Sequence, residues 1–171
     1  MIGVIHMNLP DLQKAKVRGQ TPVKYYDADI VRDNSLFNGK KYFLRTYGCQ
    51  MNVHDSELLR NLVEGIGFNE TDKLEDADLV ILNTCAIREN AHDKVFGLLG
   101  RCKHEKTKRP DMKICLCGCM AQEPGVCEEI LSRHPHVDLV FGTHNMHELP
   151  TMLMNMTKRT TIEVESKEGD V

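Results

Sequence analysis

The sequence predicts an α/β domain whose strands run parallel, with helices on both faces of the sheet. Three observations lead there. From Lys41 onward, short apolar runs alternate with segments of helical periodicity. The runs from Leu79 to Leu82 and in "MKICLCGC" are apolar without a polar break, as in strands buried on both faces. No long insertion or internal repeat interrupts the alternation.

The elements follow in order. Residues 1–40 hold no sustained period, carry Pro10 and Pro22, and end in an Asn38-Gly39 turn, so they read as an N-terminal extension wrapped on the surface or partly disordered. "KYFLRTYG" reads as strand 1. The helix after it sets Leu59, Leu62, Val63 and Ile66 on one face and is stopped by Gly65 and Gly67. "FNETD" is a weak second strand and "DADLVILNTC" a strong third, followed by a helix with Ala91, Val95, Leu98, Leu99 and Cys102 at helical spacing. "MKICLCGC" is the fourth strand. A helix starting near Pro124 and carrying Val126, Cys127, Ile130 and Leu131 leads to a fifth, "VDLVFG". A last helix is expected from about His144, ended in its first turn or kinked by Pro150. The acidic segment 158–171 reads as an edge strand or a linker. Right-handed crossovers leave few orders for about five parallel strands, and the flavodoxin-like order 2-1-3-4-5 is the expectation.

Composition narrows the function classes. The chain has 171 residues, 41% of them hydrophobic, enough for one cored domain. No apolar run approaches the roughly 18 residues of a membrane span, and the N-terminus lacks the apolar stretch of a secretory signal, so a cytosolic chain is expected. A net charge of -3 argues against a surface built throughout for nucleic acid. Seven cysteines, an odd number without an export signal, point to reduced thiols, metal ligands or packing rather than a disulfide framework.

Those cysteines sort by position. Cys49, Cys85 and Cys119 each follow a strand directly and precede a helix, so in a parallel sheet all three fall on the edge where ligand crevices form. Gly48 and Gly118 leave room for close backbone approach there. Asn52, Thr84 and Gln122 are suited to opening the helices that follow, and Asp55, like Asn52, reads as a helix cap. Any single cysteine is more often core than ligand, but three in the same place reverse those odds. Cys102 and Cys127 on apolar helix faces, and Cys115 and Cys117 on one face of a buried strand, are assigned to the core. Three soft thiolates suit an iron-sulfur cluster with one iron left open; with His54, His92 or His144 as fourth ligand they also suit zinc. A nucleotide-binding domain ranks lower, because no Gly-rich phosphate fingerprint follows strand 1.

"TYGCQMNVHDSE", "ADLVILNTCAIRENAHDKVFGLLGR" and "CGCMAQ" followed by "VDLVFG" resemble the N-terminal domain of the radical-SAM methylthiotransferases. The "GCQMN" and "NTCAIRE" variants are most similar to the MiaB type, which acts on N6-isopentenyladenosine in tRNA. The likeness covers about residues 41 to 156. It implies that Cys49, Cys85 and Cys119 ligate an auxiliary 4Fe-4S cluster taking part in sulfur insertion. It implies a second 4Fe-4S cluster, S-adenosyl-L-methionine, a TRAM domain and a tRNA substrate for the complete enzyme. The branches acting on threonylcarbamoyladenosine or on a ribosomal protein share the three-cysteine plan, and a stand-alone zinc or iron-sulfur module is the alternative of another class.

On this reading residues 1–40 are an extension, 41–157 the cluster-bearing domain and 158–171 a linker toward a radical-SAM domain. Cys115 and Cys119 begin a C-x-x-x-C-x-x-C signature, but Gln122 stands where its third cysteine belongs, so the 171 residues alone are expected to be inactive. Arg88 and Glu89 are expected at the crevice rim and Asn52 behind a cluster ligand. The basic run Arg101, Lys103, Lys106, Lys108 and Arg109 reads first as a solvated, dipole-complementing helix end and only second as a phosphate contact.

Overall fold

The computed structural model describes residues 37–85, 91–156 and 161–163. Six parallel strands form one sheet in the order β2-β1-β3-β4-β5-β6. They are β1 (Lys41–Tyr47), β2 (Asn69–Glu70), β3 (Leu79–Thr84), β4 (Lys113–Gly118), β5 (Leu139–Phe141) and β6 (Thr161–Glu163). The helices are α1 (Gln50–Gly65), α2 (Ala91–Lys108), α3 (Val126–Arg133) and α4 (Leu149–Met154). The flavodoxin-like order of the first five strands is as expected. The sixth strand comes from the acidic tail: residues 161–163 pair with β5, so this part of the stretch assigned as a linker is an edge strand.

Alternation along the strands builds two cores. Val80 and Leu82 of β3 meet Val95, Leu99 and Cys102 of α2 and Ile130 of α3 on one face. Leu79 and Ile81 point the other way, with Leu59 and Val63 of α1 and Leu149 and Leu153 of α4. Cys115 and Cys117 lie fully buried in this second core, and Cys102 in the first, as the spacing requires. Tyr42 is also fully buried, yet its hydroxyl donates to Glu64 Oε1 at 2.8 Å; burial, then that acidic partner, pushes the phenol well above its ordinary range. Before β1, Phe37 stacks on Phe68 with ring centroids 4.7 Å apart, so the last residues of the expected extension belong to the core's rim.

Two helix starts differ from the sequence reading. After Cys119 the chain forms a 3-10 helix (Cys119–Gln122), and α3 begins only at Val126 with Gly125 in the left-handed region as its cap. Pro124 therefore precedes the helix rather than sitting in its first turn. The last helical region is split: a 3-10 helix (Thr143–Glu148) runs into α4, and Pro150 occupies the first turn of α4, where its missing N–H costs nothing. No helix among the described residues is long and apolar enough to cross a membrane.

Candidate functional site

Register brings the three strand ends together. Tyr47 pairs with Thr84, and Thr84 with Gly118, so these residues form one line across β1, β3 and β4. Cys85 and Cys119 are each the next residue past that line, and Cys49 is the second. All three thus stand at the carboxyl edge of three adjacent strands, beside the β1/β3 boundary where the sheet order switches. The backbones here approach closely. Gly118 has φ 97°, and a Cβ on it would overlap the Thr84 carbonyl oxygen. A Cβ on Gly48 would overlap Asn52 Oδ1 and come within 2.8 Å of Cys85 Cβ.

The three thiols differ in setting. Cys49 is exposed, Cys119 half-buried and Cys85 buried. Cys49 is the N-cap of α1. Its sulfur faces the backbone N–H groups of Asn52 and Met51, which hold the thiol below its ordinary range, with Cys85 a smaller contributor. Burial pushes the core thiols the other way, Cys102 to about 11 and Cys115, Cys117 and Cys127 upward as well. That contrast separates a sulfur able to ionise from sulfurs kept as small hydrophobes. Among the described residues no group of three His, Cys, Asp or Glu side chains is gathered closely enough to hold a metal ion as they stand. The strand ends converge; in this conformation the Cys49 thiol is turned to Asn52 Oδ1 at 3.4 Å.

The polar residues around the thiols serve differently from the expectation. Asn52 lies inside α1 as its third residue, 1% exposed, and its side chain accepts from the Cys49 N–H at 3.3 Å, completing a capping box whose cap is the cysteine. Thr84 opens no helix; it ends β3, and its hydroxyl donates to the Cys117 carbonyl at 2.8 Å. Gln122 closes the 3-10 helix, receives the Thr143 hydroxyl at 3.4 Å and packs against Gly142. Asp55 caps nothing, since it sits in the second turn of α1, half-buried, where burial raises its carboxyl.

Of the three histidines considered for zinc, His54 is exposed and paired with Glu57, His92 meets Glu123 Oε2 at 3.1 Å, and His144 is exposed. Arg88 and Glu89 lie outside the described residues. Three members of the basic run have acidic partners: Lys106 with Asp138, Lys108 with Glu105 and Arg109 with Asp78. Cations so paired are poor candidates for phosphate contacts.

Sequence reasoning missed Asn83, Ser56 and Thr46. Asn83 donates to the Asn52 carbonyl at 2.8 Å and to Ser56 Oγ at 2.9 Å, and Ser56 Oγ is 2.7 Å from Thr46 Oγ1. A signal existed: Asn83 is where the apolar run of "LVILNTC" turns polar while still inside the strand, and Ser56 sits among the apolar positions of α1, four residues past Asn52.

A doubly wound parallel sheet with cysteines at three neighbouring strand ends defines a thiol-bearing α/β domain. The chain belongs to the family described as uncharacterized protein family UPF0004, whose model matches residues 41–142. Over 165 residues it is 50% identical to a protein of Bacillus pumilus named tRNA-2-methylthio-N(6)-dimethylallyladenosine synthase, covering 95% of this chain and 32% of that protein. Proteins of the same name from Geobacillus kaustophilus and Bacillus subtilis are 49% and 46% identical over 166 residues, each match again covering 95% of this chain. The chain spans about a third of the length of these curated relatives.

Proposed function

We propose that this chain is the iron-sulfur domain of a tRNA methylthiotransferase, one that adds a methylthio group to N6-isopentenyladenosine next to the anticodon. The observation that carries the reading is the line of Cys49, Cys85 and Cys119 along one sheet edge, in a chain about half identical to proteins named for that chemistry.

The donor set fits an auxiliary 4Fe-4S cluster. Three soft sulfurs select iron-sulfur chemistry, Cys49 is inclined to ionise, and Gly48 and Gly118 let the backbones that carry the cysteines approach closely. Cys49, Cys85 and Cys119 would hold it. When bound through three cysteines, such a group supplies an iron with no protein ligand, at which sulfur can be held.

The chain's own contribution is positional. β1, β3 and β4 fix where the three sulfur-bearing backbones stand. The first N–H groups of α1 stabilise negative charge on Cys49, and the core thiols, held protonated by burial, do not compete as ligands. The second cluster, S-adenosyl-L-methionine and the tRNA contacts belong, on this reading, to the two thirds of the relatives that this chain does not cover. The test is mass spectrometry of isopentenylated tRNA incubated anaerobically with S-adenosyl-L-methionine, reductant and a sulfur source. Product is expected from the full-length enzyme and is lost when any of the three cysteines becomes Ala; product from the 171 residues alone would contradict the reading.

A further inference from the structure

The buried polar side chains among the described residues are Asn52, Ser56, Asn83 and Thr84, and all four lie behind the cysteine edge. Burying a polar group is costly unless its hydrogen bonds are made, so a core that keeps four of them together uses them for something packing alone does not provide. Asn52 is the link between them and the thiols. Its Oδ1 accepts from the Cys49 N–H at 3.3 Å and from the Cys49 thiol at 3.4 Å; its Nδ2 donates to Asn83 Oδ1 and to the Thr84 carbonyl, each at 3.2 Å. An amide has two donors and an acceptor with two lone pairs, so every capacity of this side chain is used. Turned the other way, it would set its NH2 group against the Cys49 N–H and its oxygen against the Thr84 carbonyl.

The Thr84 carbonyl is the last peptide oxygen before Cys85. One amide therefore ties the loop that carries Cys49 to the strand end that carries Cys85. Asn83 locks the arrangement from below by donating to the Asn52 carbonyl at 2.8 Å. Resting on the reading above, we propose that Asn52 is a positioning residue of the cysteine site, clamping the Cys49 loop to the end of β3 so that the Cys49 and Cys85 sulfurs stand at a fixed separation before any metal arrives. The clamp reduces the ordering that ligand binding must otherwise supply.

The test uses the reduced, metal-free 171-residue chain and phenylarsine oxide, an arsenical that binds two neighbouring thiols with release of one water. Cys49→Ser in the otherwise native chain identifies the pair by abolishing tight binding. Asn52→Ala and Asn52→Asp are compared with Thr46→Val, which cuts the same network at its far end, at Ser56, and touches neither cysteine. Both Asn52 variants are expected to bind the arsenical about tenfold more weakly, the equivalent of a lost hydrogen bond, and Thr46→Val to stay within about twofold of the native chain. Should Asn52→Ala fail to fold, Asn52→Ser carries the comparison. The clamp is overturned if the Asn52 variants bind as the native chain does, if Thr46→Val weakens binding equally, or if native binding does not depend on Cys49. Iron uptake by the native chain is scored separately: no uptake with the arsenical difference intact refutes the cluster reading alone, whereas uptake without that difference refutes the clamp alone.

Discussion

Lys106 of α2 reaches across the first core to Asp138, Nζ to Oδ2 at 2.5 Å, and also donates to the His136 carbonyl at 3.0 Å. Asp138 in turn accepts the Ile114 N–H at 2.8 Å, so this one carboxylate fastens the end of α2 to the starts of β4 and β5. Both side chains are mostly buried, which makes the pair a structural staple. Asp138→Ala leaves the Lys106 ammonium without its carboxylate, with only the His136 carbonyl as partner, and the Ile114 N–H without its acceptor, and is expected to cost about 2 to 3 kcal/mol in urea unfolding. If the proposed function holds, Lys106→Ala is expected to leave tRNA affinity of the full-length protein unchanged, measured by filter binding at two salt concentrations. A reduced salt slope would instead assign Lys106 to a phosphate.

Gly118 is the second test of the fold. Its φ of 97° is unfavourable for a side chain, and a Cβ there has no room beside the Thr84 carbonyl. Gly118→Ala is expected to lose about 2 kcal/mol or more of stability in denaturant melts, since strain and overlap add. Gly125→Ala tests φ alone: its φ is 85° but its Cβ would meet nothing within 4 Å, so it is expected to cost less.

Stability should fall at both ends of the pH range. Burial holds folded Cys102 at about 11 while an unfolded thiol titrates near 9.0, so above pH 9 the unfolded state gives up protons that the folded state keeps. Stability contributed by the neutral thiol is present below pH 9 and is lost toward 11. Cys115 and Cys117 act in the same direction. In acid, burial pulls His134 and His136 below the ordinary imidazole value, so the unfolded chain takes protons first as pH drops below about 6.5 and stability falls again. Urea midpoints across pH check both limbs, and Cys102→Val should flatten the alkaline one.

Much of this was legible from the residues. Strand 3 is read directly from "LVIL", because a strand buried on both faces must be apolar throughout, and its neighbours follow from the parallel crossovers. The placement of Cys49, Cys85 and Cys119 just past the ends of three adjacent strands is legible too, because it depends only on strand ends and order. What local pattern did not reveal depends on contacts across the sheet. Asn52 looks like a helix cap because Asn often is one, but here the cap is Cys49 and Asn52 folds back to it. Thr84 spends its hydroxyl on the Cys117 carbonyl of the neighbouring strand, a partner 33 positions away that no window contains. The sixth strand was half-seen, since a three-residue edge strand carries little periodicity.

Thiol accessibility sets Cys49 apart from the fully buried core thiols before any metal is added. Cys49 is exposed while Cys102, Cys115 and Cys117 are fully buried. Brief iodoacetamide treatment of the native chain followed by peptide mapping is expected to label Cys49 first and the three core thiols only after unfolding.

The central claim, that three cysteines and not the other four hold an iron-sulfur cluster, is tested most directly by counting iron and sulfide in the anaerobically reconstituted chain. The native chain is expected to take up about four of each per chain, and Cys49→Ala, Cys85→Ala and Cys119→Ala to lose stable uptake. Cys102→Ala should keep it while losing stability of ~2 kcal/mol or more as a buried-side-chain truncation. Full iron retention in Cys119→Ala, or zinc instead of iron in the native chain, would contradict the account.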